Sequence, residues 1–139
     1  MSTAATSTRK SRPEFRNIHV TQLFLYRLPL AGIASVMHRI SGAALFLALP
    51  FLLWLLDLSL TSEISFERLR GIAAGWFVKL VLLGLIWAFL HHLFAGIRFL
   101  LLDLHVGLDL APSRASALAV FAISVLLTIL AGLRLFGVF

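Results

Sequence analysis

Three long apolar runs leave this chain almost no way to fold except as membrane-crossing helices. The first extends from about Leu30 to Leu56, the second from about Ile72 to Leu102 and the third from about Ala115 to Val138. A hydrocarbon core of about 30 Å takes roughly 20 helical residues to cross, and each run is long enough. Strands are disfavoured because the runs are continuous rather than alternating, and three strands cannot close a barrel. With 60% hydrophobic residues, 13% charged residues and a mean hydropathy of +1.01, the chain has too few polar groups to cover a soluble domain. The expected fold is an all-α membrane protein with three transmembrane helices. A basic segment with an amphipathic lead-in occupies residues 1–29, and the three-helix domain occupies residues 30–139.

The formal charge of +6 does not point to nucleic acid, because the positive residues gather beside a span. Arg9, Lys10, Arg12, Arg16 and Arg27 precede the first run, against a single acid, Glu14. The loops Asp57–Arg70 and Asp103–Arg114 carry mixed charge, with Pro112 helping to end the second before the third helix. The basic N-terminus therefore sets the topology. It is expected in the cytoplasm with the second loop, while the first loop and the C-terminus lie outside. The first thirty residues show no apolar core followed by a cleavage site, as a secretory signal would. Met1–Arg12 is rich in Ser, Thr and Ala and poor in acids, a composition shared with organellar transit peptides. The expected location is a bacterial cytoplasmic (inner) membrane, with a mitochondrial inner membrane as the second reading. The chain has no cysteine, so any iron–sulfur chemistry must belong to a partner.

His92 stands inside the second run, in the stretch Leu90-His91-His92-Leu93-Phe94-Ala95-Gly96-Ile97-Arg98. An ionisable side chain within a span is costly and marks a functional site by default, and imidazole is a common axial ligand of haem iron. At about 100° per residue, Ala88, Gly96, Phe99 and Asp103 fall within about 40° of His92. The small residues above and below it leave room for a flat macrocycle or for close approach of another helix.

A second cluster, Ser35-Val36-Met37-His38-Arg39-Ile40-Ser41-Gly42, opens the first run. Gly32, Ser35, Arg39 and Gly42 form a stripe along one face. A guanidinium there can bind an anion or donate to a carbonyl oxygen, and Ser35, one turn away, adds a hydroxyl suited to a quinone carbonyl. Simpler roles compete: Arg39 can snorkel to the interface, and His38 can be a hydrogen-bonded packing residue. His91 is expected to face another helix or lipid headgroups. His19 and His105 belong to solvated segments, and Lys79 and Arg134 to the interface. Trp54 and Trp76 fit interfacial anchors, whereas Trp87 lies deeper.

Together these residues resemble the cytochrome b large membrane-anchor family of succinate dehydrogenase, respiratory complex II. Arg12-Pro13 precedes a lead-in ending Tyr26-Arg27-Leu28-Pro29. Ser35 to Gly42 is similar to the family's Ser-x-x-His-Arg-x-Ser/Thr-Gly signature. His92 to Arg98, followed by Asp103, is similar to its His-x-x-x-Gly-x-Arg signature.

The resemblance implies that His92 is an axial ligand of one haem b shared with a small anchor subunit, which supplies the other ligand. It implies that His38, Arg39 and Arg98 lie near the haem propionates, and that Ser35 and Arg39 line the ubiquinone site. FAD and iron–sulfur clusters would reside only in partners, the flavoprotein and iron–sulfur subunits. Electrons from the iron–sulfur subunit would reach ubiquinone at their interface, joining the tricarboxylic acid cycle to the respiratory chain. The chain alone would be non-catalytic, one part of a heteromeric helix bundle. Many relatives carry a histidine where this chain has Phe99, which places that position outside the inferred haem set. Two other readings remain: the anchor of a fumarate reductase-type complex, and a haem-free structural or transport bundle whose His and Arg groups relay protons.

Overall fold

The computed structural model describes Thr21 and residues 26–138. The basic cluster from Arg9 to Arg16, Glu14 and His19 lie outside the described residues, as does most of the amphipathic lead-in. Four helices follow: α1 (Leu30–Thr61), α2 (Glu63–Ala74), α3 (Trp76–Asp103) and α4 (Leu110–Leu135). Among the described residues there is no strand, and α1, α3 and α4 are each long and apolar enough to cross a membrane.

At 1.5 Å per residue, the long helices of 32, 28 and 26 residues measure about 48, 42 and 39 Å. Each therefore exceeds the hydrocarbon thickness and reaches the headgroup region at its ends. Pro50 lies inside α1 and cannot donate to the carbonyl of Phe46, a defect that a membrane helix tolerates where other groups satisfy the freed carbonyl.

The connections differ from the sequence expectation in two ways. The segment expected as the first loop is mostly helical: Asp57–Thr61 extends α1, and Glu63–Ala74 forms α2. Ser62 starts α2 through a reciprocal cap. Its hydroxyl accepts from Ser65 N–H at 3.1 Å, and its own N–H donates to Ser65 Oγ at 2.9 Å. The cap frees α2 from dependence on tertiary packing for its start. The expected start of the second span, Ile72, thus belongs to α2, and Gly75 makes the break. Its N–H donates to Ile72 O at 3.1 Å, while its carbonyl accepts from Lys79 N–H at 3.0 Å.

Pro112 likewise falls inside the first turn of α4 rather than in the loop. Proline is accepted there because that turn's N–H groups have no helical acceptor. The third span accordingly begins at Leu110 and ends at Leu135.

The turn after α3 is a Schellman motif. His105 N–H donates to Leu102 O at 2.9 Å, and Val106 N–H donates to Leu101 O at 3.0 Å. The left-handed position is held by His105, with φ 62°, where glycine is the usual occupant. The same motif closes α4, with Gly137 in that position at φ 76°.

Helix α3 packs against both α1 and α4. The buried set is mainly small: Ala34 and Ser41 on α1, Ala88 and Ala95 on α3, and Ala117, Ser124 and Gly132 on α4. Inside a membrane the hydrophobic effect does not drive helix association, so close packing of small residues is the main cohesive device. Large side chains point outward: Phe46, Leu47 and Phe77 are 74%, 78% and 72% exposed. A surface of this kind is stable only in lipid or against further helices.

Candidate functional site

Near the start of α1 and toward the far end of α3, two imidazoles lie face to face. The His38 and His92 rings have centroids 4.1 Å apart and planes 8° from parallel. Each is seated on a glycine of the opposite helix. A Cβ built on Gly42 would sit 2.7 Å from Cε1 of His92, and one built on Gly96 would sit 3.6 Å from Nε2 of His38. The two sequence clusters thus come together through reciprocal histidine-on-glycine contacts.

His92 Nδ1 lies 3.1 Å from the carbonyl oxygen of His38. A carbonyl can only accept, so this contact is a hydrogen bond when Nδ1 carries the hydrogen, the tautomer whose lone pair is on Nε2. Ser41 Oγ donates to the same carbonyl at 2.9 Å and stands 3.5 Å from His92 Nδ1. Ser41 is almost fully buried, and this serine, bonding back three residues along its own helix, completes the cradle. Phe99 adds an edge, its ring centroid 5.1 Å from that of His38.

Directly after His38, Arg39 folds back one turn onto Ser35. Its Nη2 donates to Ser35 Oγ at 3.3 Å, and its Nε to Ser35 O at 3.4 Å. The pair is on the exposed side of α1. Ser35 Oγ accepts from the guanidinium, so the serine hydrogen is free to be donated outward.

Arg98 is not gathered into this cluster. It is buried and turned toward α4, where Nε donates to Ser116 Oγ at 3.0 Å, and Nη2 donates to Ser113 Oγ at 3.1 Å and to Ser113 O at 3.3 Å. Its guanidinium also stands 5.6 Å from the centre of the Phe99 ring.

His91 is fully buried against α4, between the rings of Trp87 at 5.3 Å and Phe121 at 5.0 Å. Neither ring nitrogen makes a well-aligned hydrogen bond, although the Ala34 backbone of α1 lies beside the ring. It faces another helix, one of the two environments expected for it, and has no opening toward a ligand. Lys79 sits 5.5 Å over the Phe136 ring, where the start of α3 meets the end of α4. His105 is exposed. Among the described residues there is no group of three or more His, Asp or Glu side chains arranged to hold a metal ion.

Sequence reasoning singled out Ser35, His38, Arg39 and His92 but missed the parts played by Ser41, Ser113 and Ser116. A serine three residues after His38 is a readable local signal. The serines of α4 are not, because nothing in the sequence states which helix Arg98 faces.

Residues 9–131 match the family described as Succinate dehydrogenase/Fumarate reductase transmembrane subunit. The chain is 38% identical over 108 residues to the succinate dehydrogenase cytochrome b556 subunit of Paracoccus denitrificans, covering 78% of this chain and 83% of that one. It is 39% identical over 109 residues to the subunit of the same name from Coxiella burnetii, covering 77% and 86%. The Rickettsia felis subunit of that name is 31% identical over 123 residues, covering 87% and 96%.

Proposed function

Because this chain belongs to the succinate dehydrogenase/fumarate reductase transmembrane subunit family, we propose that it is the cytochrome b anchor of a succinate:ubiquinone oxidoreductase. In this role it helps hold a haem b and forms part of the site where ubiquinone is reduced. The anchor crosses a bacterial cytoplasmic membrane with its N-terminus inside, and binds a small anchor subunit, an iron–sulfur subunit and a flavoprotein.

The observation that carries the haem assignment is the tautomer that the His38 carbonyl favours at His92. A metal-binding histidine needs one nitrogen free and benefits from a hydrogen bond that fixes the other. In that tautomer His92 has this form: Nδ1–H is directed at the His38 carbonyl, and the lone pair is left on Nε2. Bound haem b supplies one-electron redox capacity at this point. His92 would hold the haem iron through Nε2, with a residue of the small anchor subunit completing the site. His38 and Arg39 would offer positive or hydrogen-bonding groups to the haem propionates. Arg98, held by α4, adds positive charge from behind the cluster.

For ubiquinone, the working parts are Ser35 and Arg39. With its oxygen already accepting from Arg39, Ser35 is oriented to donate its hydrogen to a quinone carbonyl oxygen, and the adjacent guanidinium favours negative charge developing there. Donors aimed in advance at such charge are effective in a site shielded from water. The chain positions and polarises the quinone. Electrons come from the iron–sulfur partner, so this subunit alone has no catalytic activity.

The deciding experiment is purification of the tagged chain, with its companions, from native membrane in mild detergent. A reduced-minus-oxidised spectrum of b-type haem, with flavin, iron–sulfur partners and succinate–quinone reductase activity, is the expected result. Absence of haem and of those partners would overturn the assignment.

A further inference from the structure

We infer that the groove between α3 and α4 beside Arg98 is a binding site for an anionic phospholipid. The groove has a volume of about 300 Å³ and is walled by Ile97, Leu101, Val120 and Ile123, with Arg98 and Ser116 midway along it. Ile97, Leu101 and Ile123 are 45%, 46% and 41% exposed, so the groove opens sideways to whatever surrounds the bundle.

Arg98 is the unusual element. Its side chain is nineteen-twentieths buried, at 5% exposure, yet no carboxylate of the described residues is paired with it: the ion pair found among them joins Arg70 to Glu67. Its bonds are to neutral serine oxygens through Nε and Nη2. Nη1 takes part in none of them, leaving two N–H donors for a further acceptor. A buried guanidinium satisfied only by neutral groups keeps its full charge, and an anion at Nη1 would compensate it.

The position selects the occupant. Arg98 lies five residues before the end of α3, about 7.5 Å along the axis. That depth suits a lipid phosphate drawn slightly inward. From the level of Arg98 and its partner Ser116 the walls continue toward the middle of the span as far as Phe94 on α3 and Ile123 on α4, about 10 Å, which seats the upper part of an acyl chain. Basic pockets between transmembrane helices are known to recognise acidic headgroups in this way. In the proposed complex, two phosphate oxygens accept from Nη1 of Arg98, and one acyl chain runs from there along Ile97 and Ile123 toward the middle of the span.

The test uses the intact assembly purified with its partner subunits, as wild type, Arg98→Gln and Ile123→Trp. The tryptophan fills the groove and leaves the guanidinium in place. Each form is exchanged into nanodiscs of phosphatidylcholine with a minor share of phosphatidylglycerol, re-extracted, and assayed by native mass spectrometry for retained lipid. The expected result is selective retention of phosphatidylglycerol by the wild type and about a tenfold weaker retention in both variants, the scale of a lost charge-assisted hydrogen bond. Equal retention in all three forms, or wild-type retention of phosphatidylcholine to the same degree, overturns the inference. If Arg98→Gln prevents assembly, Ile123→Trp decides: undiminished phosphatidylglycerol in that complex points to a protein carboxylate as the partner of Arg98 and overturns the lipid site. The haem spectrum is recorded in parallel, and in Ile123→Trp, which alters no residue assigned to the haem, it reports on the haem assignment separately from lipid retention, so the two failures are distinguishable.

Discussion

His38 and His92 hold each other by exchange: the ring of each rests on a glycine of the other's helix, and the rings themselves stack 4.1 Å apart. The two sides of this exchange are unequal. Gly42 is within 2.7 Å of a His92 ring atom at the point where a Cβ would be, whereas Gly96 is 3.6 Å from His38.

That inequality gives a paired prediction. Gly42→Ala forces His92 off its seat, at a cost of about 1–3 kcal/mol, and the haem content per polypeptide falls. Gly96→Ala meets only an ordinary van der Waals contact and gains helix propensity of up to about 1 kcal/mol, so haem content stays at the wild-type level. Pyridine haemochrome assays on the two purified assemblies make the comparison.

The adjacent histidines separate in a second experiment. His92→Ala is expected to remove the b-type haem spectrum. His91→Phe should leave it unchanged, because His91 points into the α3–α4 seam. Replacing an imidazole whose nitrogens make no well-aligned hydrogen bond removes a buried polar group that costs about 1–3 kcal/mol. Thermal unfolding in detergent should therefore show equal or higher stability, and a lower midpoint would contradict the account of that seam.

Ser35→Ala removes the donor assigned to the quinone and leaves the histidines in place. Quinone reduction is expected to fall about 10- to 100-fold, the range for one lost hydrogen bond to developing charge. Succinate oxidation with an artificial acceptor should continue at the wild-type rate. Equal activity with quinone in the variant and the wild type would remove Ser35 from the site.

His105 is the one non-glycine residue with a left-handed backbone among those described. That conformation costs an L-residue roughly 1–2 kcal/mol, partly offset by the greater entropy glycine loses on folding. His105→Gly should raise stability by about 0.5–1 kcal/mol without altering the spectrum or the activity. Scanning fluorimetry of the purified assembly provides the measurement.

The three spans and the two motif clusters were legible because both rest on local pattern: continuous apolar length, and ionisable residues placed where they are costly. Rotation about each helix axis was less legible. The pattern of small residues centres α3 on His92 with Ala88 and Gly96. The buried face instead runs through Ala88, His91, Ala95 and Arg98, leaving His92 on the flank toward α1. Small residues occur on both candidate faces, and only packing against α4 chooses between them. The destination of Arg98 was hidden for the same reason. Helix α2 escaped notice because Glu63, Glu67, Arg68 and Arg70 give its sequence the charge density of a loop, and because its cap uses Ser65 where the familiar signature has Glu or Gln.

The arginine–serine bonds have a mechanical consequence. Arg98 lies six residues beyond His92, about 120° around the axis, and is pinned to Ser113 and Ser116. It acts as a key in a shaft: α3 cannot turn about its own axis without breaking those bonds. The compass bearing of the His92 ring is thereby fixed from the far side of the helix, by the serines of another span. A chain cut before Leu110 would retain both stacked histidines and lose the part that aims them.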